Sequence, residues 1–283
     1  MRKNNMLFLA LLFVSFQLAV AQTSSLVQPD VAIFYPKDFK AYKTLPSLAI
    51  TQDVSQEKPL PANWAVKPQF LQIEGKNAVQ FTFPEHVDLY GTGEVLGDLR
   101  RNGTDVTLWN TDNYEYGKFE GKQLYQAHPW VLGVRKDGSS FGILADHSWR
   151  QQIVLDDKVT FISEGPTFRV LVIEKDSPQD VMKALGELTG TMAMPPLWAL
   201  GYQQSRYSYY PDTSVKELAD EFRARKIPAD VIWMDIDYMD GFRVFTFDPE
   251  GFPDPKGLND YLHDKDFKSV YMIDPGVKQD SLY

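Results

Sequence analysis

Asp235, Asp237 and Asp240 set three carboxylates within six positions, at the end of an apolar run that starts at Val231 and continues through Ile236. An apolar run with a β-branched start reads as a strand buried on both faces, the kind found in parallel sheets. Acids at the C-terminal end of such a strand are costly to bury without a partner or a task. In a (β/α) barrel, that end carries the active site. Any one of the three could instead cap a helix or form a turn. The pattern Asp-x-Asp-x-x-Asp lacks the Gly and terminal Glu positions that a calcium loop requires. His86, His128, His147 and His263 show no H-x3-H or similar spacing, so a histidine metal site is not expected. No P-loop or dinucleotide glycine pattern is present, and no cofactor is expected.

The elements around these acids alternate. Residues 197–202 read as a strand. Ser214 with Glu217 makes a capping box, followed by Val215, Leu218, Ala219 and Phe222 at i, i+3, i+4 and i+7. Ile227-Pro228 ends that helix, residues 231–236 form the next strand, 257–264 a shorter helix and 268–273 a third strand. This β-α-β-α-β order predicts a parallel sheet joined by right-handed crossovers. A complete (β/α)8 barrel needs roughly 250 residues, far more than follow position 194. The expected second domain, 194–283, is therefore an incomplete barrel.

Upstream the pattern differs. Residues 23–63 are mixed in composition with no strong period. From Phe70 to about Val172 short strands alternate with turns, for example 78–83, 130–134, 140–144, 152–155 and 167–173. Asp137-Gly138 is a hairpin signal. Many strands without helical periodicity predict an antiparallel β-sandwich over 22–176. Ser177-Pro178 supplies an N-cap and a first-turn proline, and Gly190 can close the end, so 177–193 reads as a connecting helix. The fold class expected is thus β + α/β: an antiparallel β-sandwich, then the first three β/α units of an incomplete TIM (β/α)8 barrel.

Composition narrows the setting. The 283 residues are 43% apolar, enough for one large or two ordinary domains, and 13% aromatic. A net charge of −9 argues against nucleic acid, whose phosphates need a basic footprint. Arg2 and Lys3, the apolar residues 6–20 and Ala19-Val20-Ala21 read as a secretory signal over 1–21, cleaved before Gln22. No second apolar stretch follows, so no membrane span is expected after cleavage. The absence of cysteine fits a periplasmic or secreted protein without disulfides. Asn102-Gly103-Thr104 is formally a sequon, but Asn-Gly is a common turn pair and is read as a turn.

Several blocks carry a family resemblance. DIDYMDGFRVFTFDPEGFPDP, from Asp235, resembles the second-strand signature of glycoside hydrolase family 31, the α-glucosidase and α-xylosidase family. PPLWALGYQQSRYSYY (195–210) is similar to its first barrel strand and SVYMIDPGV (269–277) to its third. YGTGE (90–94), LWNTDNYEYG and LYQAHPWVL resemble the domain preceding the barrel. The resemblance covers most of 88–277. It implies an exported hydrolase that removes terminal α-linked glucose from oligosaccharides with retention and without a cofactor. The alternatives are an α-xylosidase of the same family, or a catalytically dead sugar-binding remnant. In-frame continuation of the gene into a strand ending in aspartate would favour the enzyme.

Glycoside hydrolysis usually needs two carboxyl groups on opposite sides of the scissile bond. Asp235 and Asp237, one residue apart on an extended strand, would point to opposite faces and make a poor catalytic pair. The resemblance implies the same, because the family's nucleophile and acid/base lie on later strands, beyond Tyr283. No catalytic residue is thus expected in this chain, which should be inactive alone. The resemblance implies substrate-binding roles instead. Asp235 matches the aspartate that holds hydroxyls of the sugar at the cleavage site. Ile236 and Tyr207 match the walls of that subsite, and Asp274 lies near the next wall position. Asp112 matches a loop aspartate that holds the leaving sugar. Each also has an ordinary reading: Tyr207 as an aromatic before a helix, Arg206 as the partner of a nearby acid, Asp112 as a loop residue, Glu94 as a cap after Gly93, and Asp254 as part of a loop.

Overall fold

The structure, a computed structural model, describes residues 22–40, 50, 58–112, 123–281 and 283. The expected signal segment and part of the block after Asp112 lie outside these residues. The chain divides into two compact units, Met1–Thr191 and Met192–Tyr283.

The first unit is built from β1 (Gln22–Gln28), β2 (Val31–Pro36), β3 (Gln69–Ile73), β4 (Lys76–Thr82), β5 (Val87–Val95), β6 (Thr104–Leu108), β7 (Gln123–Arg135), β8 (Ser140–Ala145), β9 (Gln151–Leu155), β10 (Lys158–Ser163), β11 (Val170–Lys175) and helix α1 (Pro178–Thr189). Among the described residues, one sheet runs β1-β2-β11-β8-β7-β5 and the other β3-β4-β10-β9-β6, with antiparallel pairing throughout. Alternate residues of both sheets meet in one core: Phe34, Phe141 and Val172 from the first, Phe81, Ile153 and Phe161 from the second. This is the expected sandwich.

The hairpin between β7 and β8 turns at Asp137-Gly138, with Gly138 at φ 90°. Asp137 Oδ1 accepts the Ser139 N–H and hydroxyl at 3.0 and 2.7 Å, and these bonds hold its carboxyl below the usual value. Asn102 sits in the expected turn, where its side chain accepts from Leu89 N–H at 2.9 Å and donates to Val87 O at 2.8 Å.

The β1–β2 hairpin was not expected from the sequence. β2 is buried on both faces: Ala32 and Phe34 enter the sandwich core, while Val31 and Ile33 pack with Leu171, Ile173 and Leu144 beneath α1. Helix α1 begins as expected, with Ser177 Oγ accepting the Asp180 N–H at 3.2 Å and Pro178 at its start; Gly190 follows its end. Its apolar face, Val181, Ala184 and Leu188, covers the outer side of the larger sheet, so the helix belongs to the first unit.

The second unit holds β12 (Gln203–Gln204), α2 (Asp212–Ala224), β13 (Val231–Met234), α3 (Pro255–His263) and β14 (Lys268–Tyr271). The strands are parallel, in the order β12-β13-β14. Val215 and Ala219 of α2 and Leu258 and Leu262 of α3 pack on Ile232, Met234 and Phe267.

Four expectations are corrected here. Residues 197–202 are not a strand: Leu197–Leu200 forms a 3-10 turn after Pro195-Pro196, with Leu197 and Leu200 exposed, and pairing starts at Gln203. Helix α2 starts at Asp212, so Ser214 is not its cap; the Ser214 hydroxyl donates back to Tyr210 O at 3.1 Å. Strand β13 stops at Met234, because Asp235 turns its carboxylate onto the Ile236 N–H and opens a 3-10 turn. Asp254 is the N-cap of α3, accepting the Gly257 N–H at 2.9 Å. No helix among the described residues is long and apolar enough to cross a membrane.

Candidate functional site

The pleat of β13 decides which side chains share a face. Ile232 and Met234 turn toward the helices, which leaves Trp233 and Asp235 for the opposite side. There they open into a pocket of 420 Å³, lined also by Ser205, Arg206, Tyr207, Met272 and part of Met234. Asp235 Oδ1 accepts the Ile236 N–H at 2.7 Å, which fixes the carboxyl at the strand end. A carboxylate keeps further lone pairs for donors in the pocket. The Trp233 indole donates to Gln203 Oε1 at 2.9 Å, tying it to the neighbouring strand. Tyr207 is 66% exposed, so its ring is open to a ligand.

On the helix side of the strands two tyrosines pack together. Tyr238 donates its hydroxyl to Met272 O at 3.0 Å, and its ring meets that of Tyr271 at 4.9 Å. Burial pushes the Tyr271 phenol up to about 12 and raises that of Tyr238, so both stay neutral donors. Met272 is held by its N–H bond to Met234 O at 2.9 Å, extending the β13–β14 ladder to the pocket rim.

Of the residues named from the sequence, Asp235 and Tyr207 come together. Ile236 packs against the core beneath the helices. Asp274 is exposed beyond β14 and does not line the pocket. Asp112 lies in the first unit, where its Oδ1 accepts the Tyr125 hydroxyl at 2.8 Å, and Glu94 accepts the Tyr125 N–H at 3.1 Å. Arg206 places its guanidinium 5.3 Å from the Tyr209 ring centroid, and among the described residues no acid is paired with it. Asp240 is an exposed turn residue beside Arg243. Among the described residues no cluster of three or more metal-binding side chains occurs. Trp233 and Met272 were missed from the sequence. Trp233 was within reach, because it lies two positions before Asp235 and a strand alternates its faces; Met272 needed the register of β14 on β13.

Comparison with known proteins places both units. The description "Glycosyl hydrolases family 31 TIM-barrel domain" matches residues 192–283, and "Glycosyl hydrolase 31 N-terminal galactose mutarotase-like domain" matches 67–153. Alpha-glucosidase 2 of Bacillus thermoamyloliquefaciens is 40% identical over 228 residues, covering 76% of this chain and 29% of that relative. A family 31 alpha-glucosidase structure from Bacteroides thetaiotaomicron aligns with a TM-score of 0.67 and 56% identity, over 71% of this chain and 34% of its own. A family 31 dextranase structure from Flavobacterium johnsoniae, 22% identical, shares the fold at a TM-score of 0.76, over 88% of this chain and 35% of its own. The chain thus spans about a third or less of the length of these proteins.

Proposed function

The chain belongs to glycoside hydrolase family 31, and from that premise we propose that its second unit contributes the sugar-holding side of a site for terminal α-linked glucose. One observation carries this reading: the Asp235 carboxylate and the Tyr207 and Trp233 rings open into one pocket. A carboxylate accepts hydrogen bonds from vicinal hydroxyls, and aromatic faces pack against the C–H faces of a pyranose. The α-glucosidases among the relatives support glucose as the sugar.

Hydrolysis needs a second carboxyl group across the scissile bond. Asp235 is the one acid lining the pocket among the described residues. We therefore expect this chain alone to bind an α-glucoside without turning it over. Titration of the isotope-labelled chain with methyl α-glucoside should move the Trp233 indole N–H resonance, and Asp235→Asn should weaken the effect severalfold. An immobile Trp233 resonance would refute the sugar site. Sustained hydrolysis of an aryl α-glucoside, abolished by changing an acid in this chain, would overturn the division of roles. Export to the periplasm or medium is part of the same reading, motivated by the charged start, apolar stretch and A-x-A site. Mass spectrometry of the mature protein should find Gln22 at its start, and finding Met1 would refute it.

A further inference from the structure

In the first unit, the junction of β6, β7 and β9 opens a cavity of 340 Å³. Two of its lining residues are buried and polar: His147 is 1% exposed and Gln151 3%. His147 Nε2 and Gln151 Oε1 make no hydrogen bond of normal geometry, although the two side chains lie close enough to interact weakly with each other. A buried polar atom without a good hydrogen bond is costly, so two lining one cavity point to something that satisfies them there.

The chemistry of the occupant follows from the donors. His147 Nδ1 accepts the Trp149 N–H at 3.2 Å, so the proton of the neutral ring sits on Nε2, a donor. Burial holds this imidazole down to about 4, against a smaller opposite effect of a weak hydrogen bond with Gln151, and the ring is uncharged near neutral pH. Gln151 Oε1 is an acceptor. A donor and an acceptor together suit a hydroxyl group, which accepts from one and donates to the other. Trp109 and Trp149 line the same cavity and stay half-exposed, at 56% and 47%. Trp149 rests on Gly165, where a Cβ would lie 2.3 Å from its Cγ, so the glycine seats the indole. No Asp, Glu, Lys or Arg lines the cavity, which disfavours an ionic ligand.

We infer that this cavity binds an uncharged, hydroxyl-rich ring of pyranose size, through His147 Nε2, Gln151 Oε1 and the Trp109 and Trp149 indoles. Its volume is at the lower end of small-molecule sites, roughly 300–1,000 Å³. It is larger than a single buried water needs. The inference rests on the first unit and stands apart from the pocket at Asp235.

The test is a titration of the 15N-labelled chain with maltose, reading the indole N–H resonances, with Trp109 and Trp149 assigned by their Phe variants. Saturable movement of the Trp109 and Trp149 signals is expected. Gln151→Leu, which leaves no unpaired oxygen behind, and Trp149→Ala should each weaken it by about fivefold. Stationary Trp109 and Trp149 signals would overturn the inference, as would movement of equal midpoint in both variants. Trp233 reports separately: its movement alone would sink this cavity and keep the site at Asp235, and its immobility alone would do the reverse.

Discussion

His147 should make the β-sandwich acid-sensitive before its carboxylates titrate. Its ring packs 4.3 Å from the Phe168 ring, and burial lowers its folded value from 6.5 to about 4. The adjoining acid, Asp146, is engaged with Arg169, its Oδ2 accepting from Nε at 2.7 Å. Between pH 6.5 and 4 the unfolded chain takes up a proton that the folded unit refuses, so stability falls as pH falls through that window. The full gap between the two values is worth roughly 3 kcal/mol, of which about 2 kcal/mol is lost between pH 7 and pH 5. Ordinary exposed carboxylates titrate mainly below this window. Urea unfolding at pH 7 and pH 5, followed by circular dichroism, measures the loss. Comparison with His147→Gln, which cannot titrate, cancels whatever the second unit contributes. The variant should be less stable at pH 7 but should lose about 2 kcal/mol less on acidification. An identical pH dependence in both proteins would refute the reasoning, as would a His147 ring titrating near 6.5 by NMR.

Gly142→Ala should disrupt the larger sheet, because a Cβ there would lie 1.9 Å from the Trp130 ring; a cost of about 1–3 kcal/mol in urea unfolding is expected, and a neutral result would show that Trp130 moves aside freely. Asp146→Ala removes the ionic partner of Arg169, which keeps only Tyr35 and partial contact with solvent, and should cost about 1–3 kcal/mol, read as a lowered thermal midpoint. Leu262→Ala removes a side chain with no exposure between α3 and β14, and should cost about 2–5 kcal/mol; unchanged unfolding of the second unit would mean that the helix is not seated there.

Local signals made much of this architecture legible in the residues. Asp137-Gly138 needs only its own turn chemistry and Ser177-Pro178 only an N-cap and a first-turn proline; each is short-range. The acids after Val231–Met234 likewise marked the end of a parallel strand, and Asp235 with Tyr207 was singled out by a family signature. Long-range contacts decided the rest. β2 has no period to read, because one face fills the sandwich and the other meets a helix about 150 positions later in the chain. Leu197–Leu200 looked like a strand by its apolar content, but no partner strand pairs there. Trp233 and Met272 became pocket walls through the register of β13 with its neighbours, a relation between segments that neither segment carries alone. His147 and Gln151 were unremarkable as letters. Only the packing of two sheets takes them from water and leaves one nitrogen and one oxygen facing a cavity, because burial and unmet hydrogen bonds are properties of surroundings rather than of residue type.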